Sequence, residues 1–347
     1  MKIAKLTNYT LVFILCIFVS YISASRNLQA NIKNDTQNYN NYYSCIAEAH
    51  NNFCNYEIGA PPNEVLLYFV IKLQSFVLFD FQFFIFAISL FFVFSLFYFY
   101  RSITTWVLPC FFILIFYPMF VEALTNTIRQ SLCIGLSFLM LGHYIKNMYM
   151  CRNKMIVFYF VFFSLMLFSH SMGIIIFMSF IFSHILFKAN KWWVYYLAVI
   201  FGVVISFFMG SVLSSLPLNG LLFNKIVYYI NSGISFNQFI SLFGKVQFLS
   251  VVILLIIYTS LNRSLMSDEK LRFVFCYFIS LLSVAFALSS MEVAYRLLIV
   301  PFIIYPVLLI YPIARRYDLI MIPFILYFSV QLIFFVSNTN YIFRPFY

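Results

Sequence analysis

Charged residues in this chain fall almost entirely in short gaps between long apolar runs, and this segregation restricts the fold more than any motif does. A run of roughly 20 apolar residues meets all of its backbone hydrogen bonds internally only as a helix, and that length crosses the hydrocarbon of a bilayer. Of the 347 residues, 64% are hydrophobic and 9% charged, against roughly half apolar and a quarter charged in soluble domains. A water-soluble fold is excluded, and the expected class is an all-α polytopic integral membrane protein. The net charge of +11 would suggest nucleic acid in a soluble protein. Here the Lys and Arg residues occupy the gaps, so the charge is topological, the partner is the lipid bilayer, and no nucleic acid is expected.

The first run, about Tyr9 to Ala24, follows Lys2 and Lys5. It reads as an uncleaved first span in preference to a cleaved signal peptide, although Ser23, Ala24 and Ser25 are small. Either reading puts the polar loop Ser25 to Asn63 outside. Later gaps alternate between basic ones (Arg101; Lys146, Arg152 and Lys154; Lys188 and Lys191; Arg263, Lys270 and Arg272; Arg315 and Arg316) and ones of little charge. The basic set is expected inside. The alternation holds only if Val65 to Tyr100, about 54 Å as one helix, crosses once. It is therefore split into a membrane-dipping outer helix of about Val65 to Phe79 and a true span from about Phe81. About eleven crossings result by the spanning-length rule, with the N-terminus inside and the C-terminus outside. No internal repeat is evident, and the chain reads as a single transmembrane domain over residues 1–347, with outer polar loop 25–63 and a second extended outer loop at about 211–244.

This topology collects Asp35, Glu57, Glu122, Asn126, Arg129, Gln130, His170, Glu292, Arg296 and Arg344 on the outer face. Arg129 and Gln130 stand in Asn-Thr-Ile-Arg-Gln at the outer start of a span of about Thr127 to Tyr149. Arg129 is either a snorkelling anchor or a guanidinium forking two hydrogen bonds onto a phosphate or pyrophosphate at the lipid surface. His170, in Phe-Ser-His-Ser-Met-Gly, falls within an apolar stretch, Met155 to Phe187, long enough for two short spans. It is either a hairpin-turn histidine bonded to local backbone or a proton donor and acceptor near neutral pH. Glu292 and Arg296, four residues apart at the start of another span, form a structural pair, or hold Arg296 toward an anion, or leave Glu292 as a base. His143 and His184 lie near expected inner ends and receive no catalytic role.

The seven cysteines show no CxxC or Cys/His metal spacing, and Cys16, Cys110, Cys133 and Cys276 lie within apolar runs as small hydrophobes. Cys45 and Cys54 share the outer loop, where an oxidising compartment and a short intervening segment permit a disulfide. There is no Walker loop, GxSxG, HExxH, or GxGxxG followed by an acidic residue, so ATPase, serine hydrolase, zinc protease and dinucleotide chemistry lack their signatures. Lone Asp35 makes no DxD sugar-nucleotide site, and no metal or cofactor is expected.

Four stretches together resemble the EpsG group of Wzy-like bacterial polysaccharide polymerases: Asp-Thr-Gln-Asn-Tyr-Asn-Asn-Tyr-Tyr from Asp35, Tyr-Glu-Ile-Gly from Tyr56, Ile-Arg-Gln from Ile128, and Ser-His-Ser from Ser169. The most specific feature is Arg-Gln followed some forty residues later by the hairpin histidine. Glu-Val-Ala-Tyr-Arg from Glu292 resembles the family's late arginine with looser spacing, and Pro61-Pro62 departs from the family pattern after Glu57. The resemblance implies a polymerase of exopolysaccharide, capsule or O-antigen in the bacterial inner (cytoplasmic) membrane. It would transfer glycan from undecaprenyl pyrophosphate to an incoming lipid-linked oligosaccharide, alongside other polysaccharide assembly proteins. Within it, Arg129 and Arg296 would meet the departing pyrophosphate, and His170 or Glu292 would be the base. Asp35, Glu57, Asn126 and Gln130 would bind substrate. A lipid-linked oligosaccharide flippase or other transporter, expected to show a polar interior path, and a non-catalytic assembly subunit are the competing classes.

The topology is checked by cysteine substitution and impermeant labelling. Positions 40, 126, 171 and 347 should label from outside, and 152, 191 and 316 only after permeabilisation. Outside labelling at 152 would divide the proposed constellation across the bilayer.

Overall fold

The computed structural model describes residues 2–25, 35–48, 65–76, 80–125, 128–148, 152–215, 245–260, 267–289 and 292–337, and apart from turns these are helical throughout. Among the described residues, three helices are by themselves long and apolar enough to cross a membrane: Phe81–Ile103, Met172–Ala189 and Glu269–Ala287. Shorter apolar helices make up most of the remainder. The expected eleven crossings therefore do not stand out one by one, because several apolar runs are broken in the middle. The chain forms two compact units, residues 1–174 with 331–347, and residues 175–330.

In the first unit, α1 (Lys2–Ala24) lies along α4 (Phe81–Ile103). Rings pair down the contact, Tyr9 with Phe97 at 6.0 Å and Phe13 with Phe94 at 5.3 Å. Arg101 covers Tyr9 at 4.7 Å, and the Asn8 amide donates to the Thr105 carbonyl at 2.9 Å. The start of α1 and the end of α4, both carrying expected inner basic residues, thus coincide. Between α1 and α4 come α2 (Asp35–Glu48) and α3 (Val65–Ser75). The loop expected to be extended therefore contains a helix, whose spacing of Tyr39, Tyr43 and Ile46 gives it one buried face. The asparagines around that face hid the helical period. The expected split after α3 is observed. At 11 residues, about 16 Å, α3 is too short to span. It buries Leu67 and Ile71 and exposes Val65, Tyr68, Phe69 and Leu73. Asp80 then caps α4, its carboxylate accepting the Phe83 amide at 2.8 Å.

The next apolar run divides into α5 (Val107–Ile115) and α6 (Pro118–Thr125). Pro118 has no N–H for the Leu114 carbonyl, which takes the Tyr117 amide at 2.9 Å instead, closing α5 with a tight turn. Proline is well placed as the first residue of α6, where no intrahelical N–H bond is due. Helix α7 (Ile128–Lys146) then packs parallel to α4 through two glycines seven residues apart. A Cβ on Gly135 would stand 2.8 Å from the Phe91 ring, and one on Gly142 2.8 Å from the Tyr98 ring and 3.1 Å from the Phe99 Cα. Small residues in one face let backbones approach where lipid offers no hydrophobic drive. Antiparallel α8 (Arg152–Ser169) follows, with His143 stacked on Phe158 at 4.0 Å.

The second unit contains most of α9 (Met172–Ala189), α10 (Trp192–Ser215), α11 (Lys245–Ser260), α12 (Glu269–Ala287), α13 (Glu292–Leu297), α14 (Ile299–Ala314), the 3-10 turn Asp318–Ile320 and the first part of α15 (Met321–Ser337). The stretch expected as a second loop from 211 is helical as far as Ser215, and residues 216–244 lie outside the described residues. The apolar run from Val293 also breaks, with Leu298 separating α13 from α14. Buried α12 is the centre of the unit. Ser280 on it donates to the Ser179 carbonyl of α9 at 2.7 Å. Pro312 inside α14 leaves the Leu308 carbonyl without its helical donor, and the Tyr258 hydroxyl supplies one at 2.7 Å. Basic gaps meet here too. Arg272 covers Phe187 at 4.3 Å, and Arg315 pairs with Asp268 at 3.6 Å. Asp268 also caps α12 and accepts the Tyr311 hydroxyl. The end of α9, the start of α12 and the end of α14 therefore share one end of the unit, as the charge alternation requires.

A Cβ on Gly202 of α10 would lie 2.3 Å from the Ser283 carbonyl oxygen of α12, a backbone atom that cannot swing aside. Gly202→Ala should force the helices apart at a cost of about 2 kcal/mol, read as a lower thermal aggregation midpoint in detergent. An unchanged midpoint would refute the close packing.

Candidate functional site

The site is built on the junction between α6 and α7. The last carbonyls of a helix lack internal donors, and those of α6 are met by buried serines. Ser23 of α1 donates to the Leu124 carbonyl at 2.7 Å, and Ser131 of α7 donates to the Ala123 carbonyl. Ser23 has a single hydroxyl proton, so its 3.0 Å bond to Ser89 is donated by Ser89. Three helices thereby fix the point at which α7 begins, and Arg129 and Gln130 stand in its first turn.

Arg129 is half-buried and donates from Nε to the Tyr39 hydroxyl at 2.6 Å, with its guanidinium carbon 5.2 Å from the Tyr39 ring centroid. That bond spans ninety residues of sequence and joins the Asp35 segment to the Ile128 segment. Gln130 is 2% exposed, and its Oε1 has no hydrogen-bond partner among the described residues. A buried amide oxygen without a donor costs on the order of 1–3 kcal/mol, so it is a place for a polar ligand hydrogen.

Helix α2 holds Tyr39 from several sides. Tyr43, one turn on, packs against Phe81 and Phe84 at 5.6 Å. Burial, followed by the nearby Asp80 carboxylate, pushes the Tyr43 phenol up from its ordinary range, so it stays protonated. Lys72 of α3 donates to the Ile46 carbonyl at 3.3 Å. Cys45 is disulfide-bonded, and its expected partner Cys54 lies outside the described residues. Cys16, Cys110, Cys133 and Cys276 are buried thiols outside any disulfide, as their apolar runs imply.

His170 occupies the hairpin between α8 and α9. Its Nδ1 accepts the Met172 amide at 3.0 Å, and its own amide donates to the Met166 carbonyl at 3.0 Å. This is the local backbone bonding considered above for a turn histidine. It also fixes the tautomer, since a backbone N–H can only donate and the proton of the neutral ring must ride on Nε2. Gly173 makes the hairpin possible, for a Cβ there would stand 2.7 Å from the Met166 carbonyl group. The pairing of His143 with Phe158 sets the register of α7 and α8. Twelve residues in each direction, about 18 Å, bring His170 level with Ser131, next to Arg129 and Gln130.

The other expected site residues are less fully placed. Asp35 begins α2, Glu122 belongs to α6 and Glu292 begins α13, but their side chains lie outside the described residues, as do Glu57, Asn126 and Arg344 altogether. Arg296 is half-buried in α13, in the second unit, whereas Arg129, Gln130 and His170 belong to the first. Tyr39 was missed as a site residue, because the asparagines around its helix face mask the period that Tyr39, Tyr43 and Ile46 share.

The sequence profile of the EpsG family matches residues 9–346. The chain belongs to the EpsG family. It is accordingly a multi-pass membrane protein of the polysaccharide-polymerase type. No curated protein and no solved structure matches it.

If Cys54 is the partner of Cys45, wild-type protein should react with a membrane-impermeant maleimide at Cys45 only after reduction, and Cys54→Ser should expose Cys45 without it. Labelling of Cys45 in unreduced wild type would dismiss the bond.

Proposed function

We propose that this EpsG-family protein polymerises a surface polysaccharide at the outer face of the bacterial cytoplasmic membrane, moving glycan from undecaprenyl pyrophosphate onto a lipid-linked repeat unit. The observation that carries this reading is the bond between Arg129 and Tyr39, which draws two of the family's motif segments together beside a buried, unpartnered Gln130 oxygen.

In such a transfer the anomeric C–O bond to the pyrophosphate breaks, the acceptor hydroxyl oxygen bonds to the anomeric carbon, and the hydroxyl proton passes to a base. Negative charge gathers on the leaving pyrophosphate, so fixed cations lower the barrier. Arg129 and Arg296 fill that role, since a guanidinium matches phosphate geometry with paired donors. His170 keeps its Nδ1 on the Met172 amide, which leaves the proton of the neutral ring on Nε2. That tautomer has no spare lone pair for a proton, so the base role goes to Glu292. Gln130 accepts a sugar hydroxyl at Oε1, and Asp35, Glu57 and Asn126 orient other hydroxyls. The oligosaccharide lipid and neighbouring assembly proteins are the partners, and about eleven crossings put these residues outside.

Arg129→Lys separates this role from membrane anchoring. A snorkelling anchor accepts lysine, whereas a pyrophosphate fork does not, because one ammonium cannot make two parallel bonds. Arg129→Lys and Arg129→Ala should both cost on the order of 3 kcal/mol, about a hundredfold in rate. Gels of cell-surface glycan should then show single repeat units in place of long polymer at equal membrane levels of protein. His170→Ala should shorten chains and His143→Ala should not. Wild-type lengths with Arg129→Lys would return Arg129 to the anchor role.

A further inference from the structure

We propose that Tyr39 is a positioning residue for Arg129, fixing the guanidinium so that it meets a lipid pyrophosphate end-on. The claim rests on the polymerase reading above and adds a residue to it. Arginine can grip phosphate by its Nε and one Nη, or by both Nη groups. Here Nε is committed to the Tyr39 hydroxyl at 2.6 Å, so the side-on grip is taken and the fork used for an anion is Nη1 with Nη2. The Tyr39 ring, 5.2 Å from the guanidinium carbon, is within cation–π range and limits rotation about the remaining side-chain bonds. An arginine side chain surrenders rotamer entropy when it is immobilised. Part of that cost is met before the ligand arrives, and preorganisation of this kind raises affinity for the ligand without adding a contact to it.

The placement of Tyr39 supports a dedicated role. Tyr39 is buried although its helix is polar and Asn-rich, and that helix is tied down by Lys72 on the Ile46 carbonyl, by Tyr43 between two phenylalanine rings, and by the Cys45 disulfide. A helix needed only to cover the bundle would not require a hydroxyl directed at a cation.

The test is equilibrium binding of undecaprenyl pyrophosphate to full-length protein in nanodiscs of phosphatidylethanolamine and phosphatidylglycerol. Wild type is compared with Tyr39→Phe, Arg129→Ala and the double variant. Tyr39→Phe keeps the ring and deletes the acceptor, and an intact Cys45 disulfide certifies that α2 has folded. Loss of one charge-assisted hydrogen bond should weaken binding about tenfold, and loss of Arg129 about a hundredfold. In the Arg129→Ala background, Tyr39→Phe should cause no further loss, because a residue that acts only through Arg129 has nothing left to position. Wild-type affinity in Tyr39→Phe, with Arg129→Ala still impaired, would overturn the positioning role and leave the polymerase reading standing. Additive losses in the double variant would also overturn it, by giving Tyr39 an effect of its own. Unimpaired binding by Arg129→Ala would remove both the positioning role and the arginine assignment beneath it.

Discussion

The carbonyls at the end of α6 have no amides above them, and in an apolar surrounding they cannot turn to water. Leaving one unsatisfied costs several kcal/mol. Ser23 and Ser131 meet the Leu124 and Ala123 carbonyls, and in doing so they specify where the chain can turn and begin α7. The position of Arg129 follows from that solution. The same rule governs the second unit, where Pro312 frees the Leu308 carbonyl and the Tyr258 hydroxyl takes it. At the end of α6 and at Pro312 the open carbonyls are met by hydroxyls from other helices, a requirement separate from hydrophobicity.

Once those breaks are fixed, helix contact depends on shape. Lipid is as apolar as leucine, so two helices gain little by hiding leucines from it, and close backbone approach takes over. Gly135 and Gly142 bring α7 onto α4 with the same seven-residue interval as Phe92 and Phe99, which they face. The repeat keeps α7 in register over several turns. That register, passed on to α8 through His143 and Phe158, carries the hairpin histidine up to the level of Arg129. A packing device near one end of the helices thus sets the height of a polar group at the other.

Much of this was legible in the sequence, for reasons that differ by feature. The helical class, the split before Asp80 and the hairpin at His170 followed from run lengths and from residues with strong local preferences. The burial of four cysteines as thiols outside any disulfide followed from their apolar neighbours. Helix α2 was not legible, because Asn and Tyr dominate it and its burial is supplied by Phe81, Phe84 and Arg129, all remote in sequence. The eleven crossings counted from apolar runs are not confirmed one by one among the described residues, where the run around Pro118 divides into α5 and α6. Arg129 was recognisable as a candidate, whereas its partner Tyr39 was not, since a tyrosine ninety residues away carries no local sign of the contact.

The basic residues themselves show how an anchor differs from a site. Arg101 covers a tyrosine from the start of α1, Arg272 covers Phe187, and Arg315 pairs with Asp268. Each lies in a gap where charge alternation puts it inside, and each partner is a ring of an apolar helix or a helix-capping carboxylate, so retention by the membrane accounts for all three. Arg129 breaks that pattern. It stands at the opposite end of its unit, beyond the reach of the positive-inside rule, and its partner comes from a polar helix outside the apolar runs. A snorkelling side chain gains from freedom at the interface, yet this one is held by its Nε against a buried phenol. Restraint of that kind has no value for an anchor and considerable value for a donor that must face an anion at a set angle.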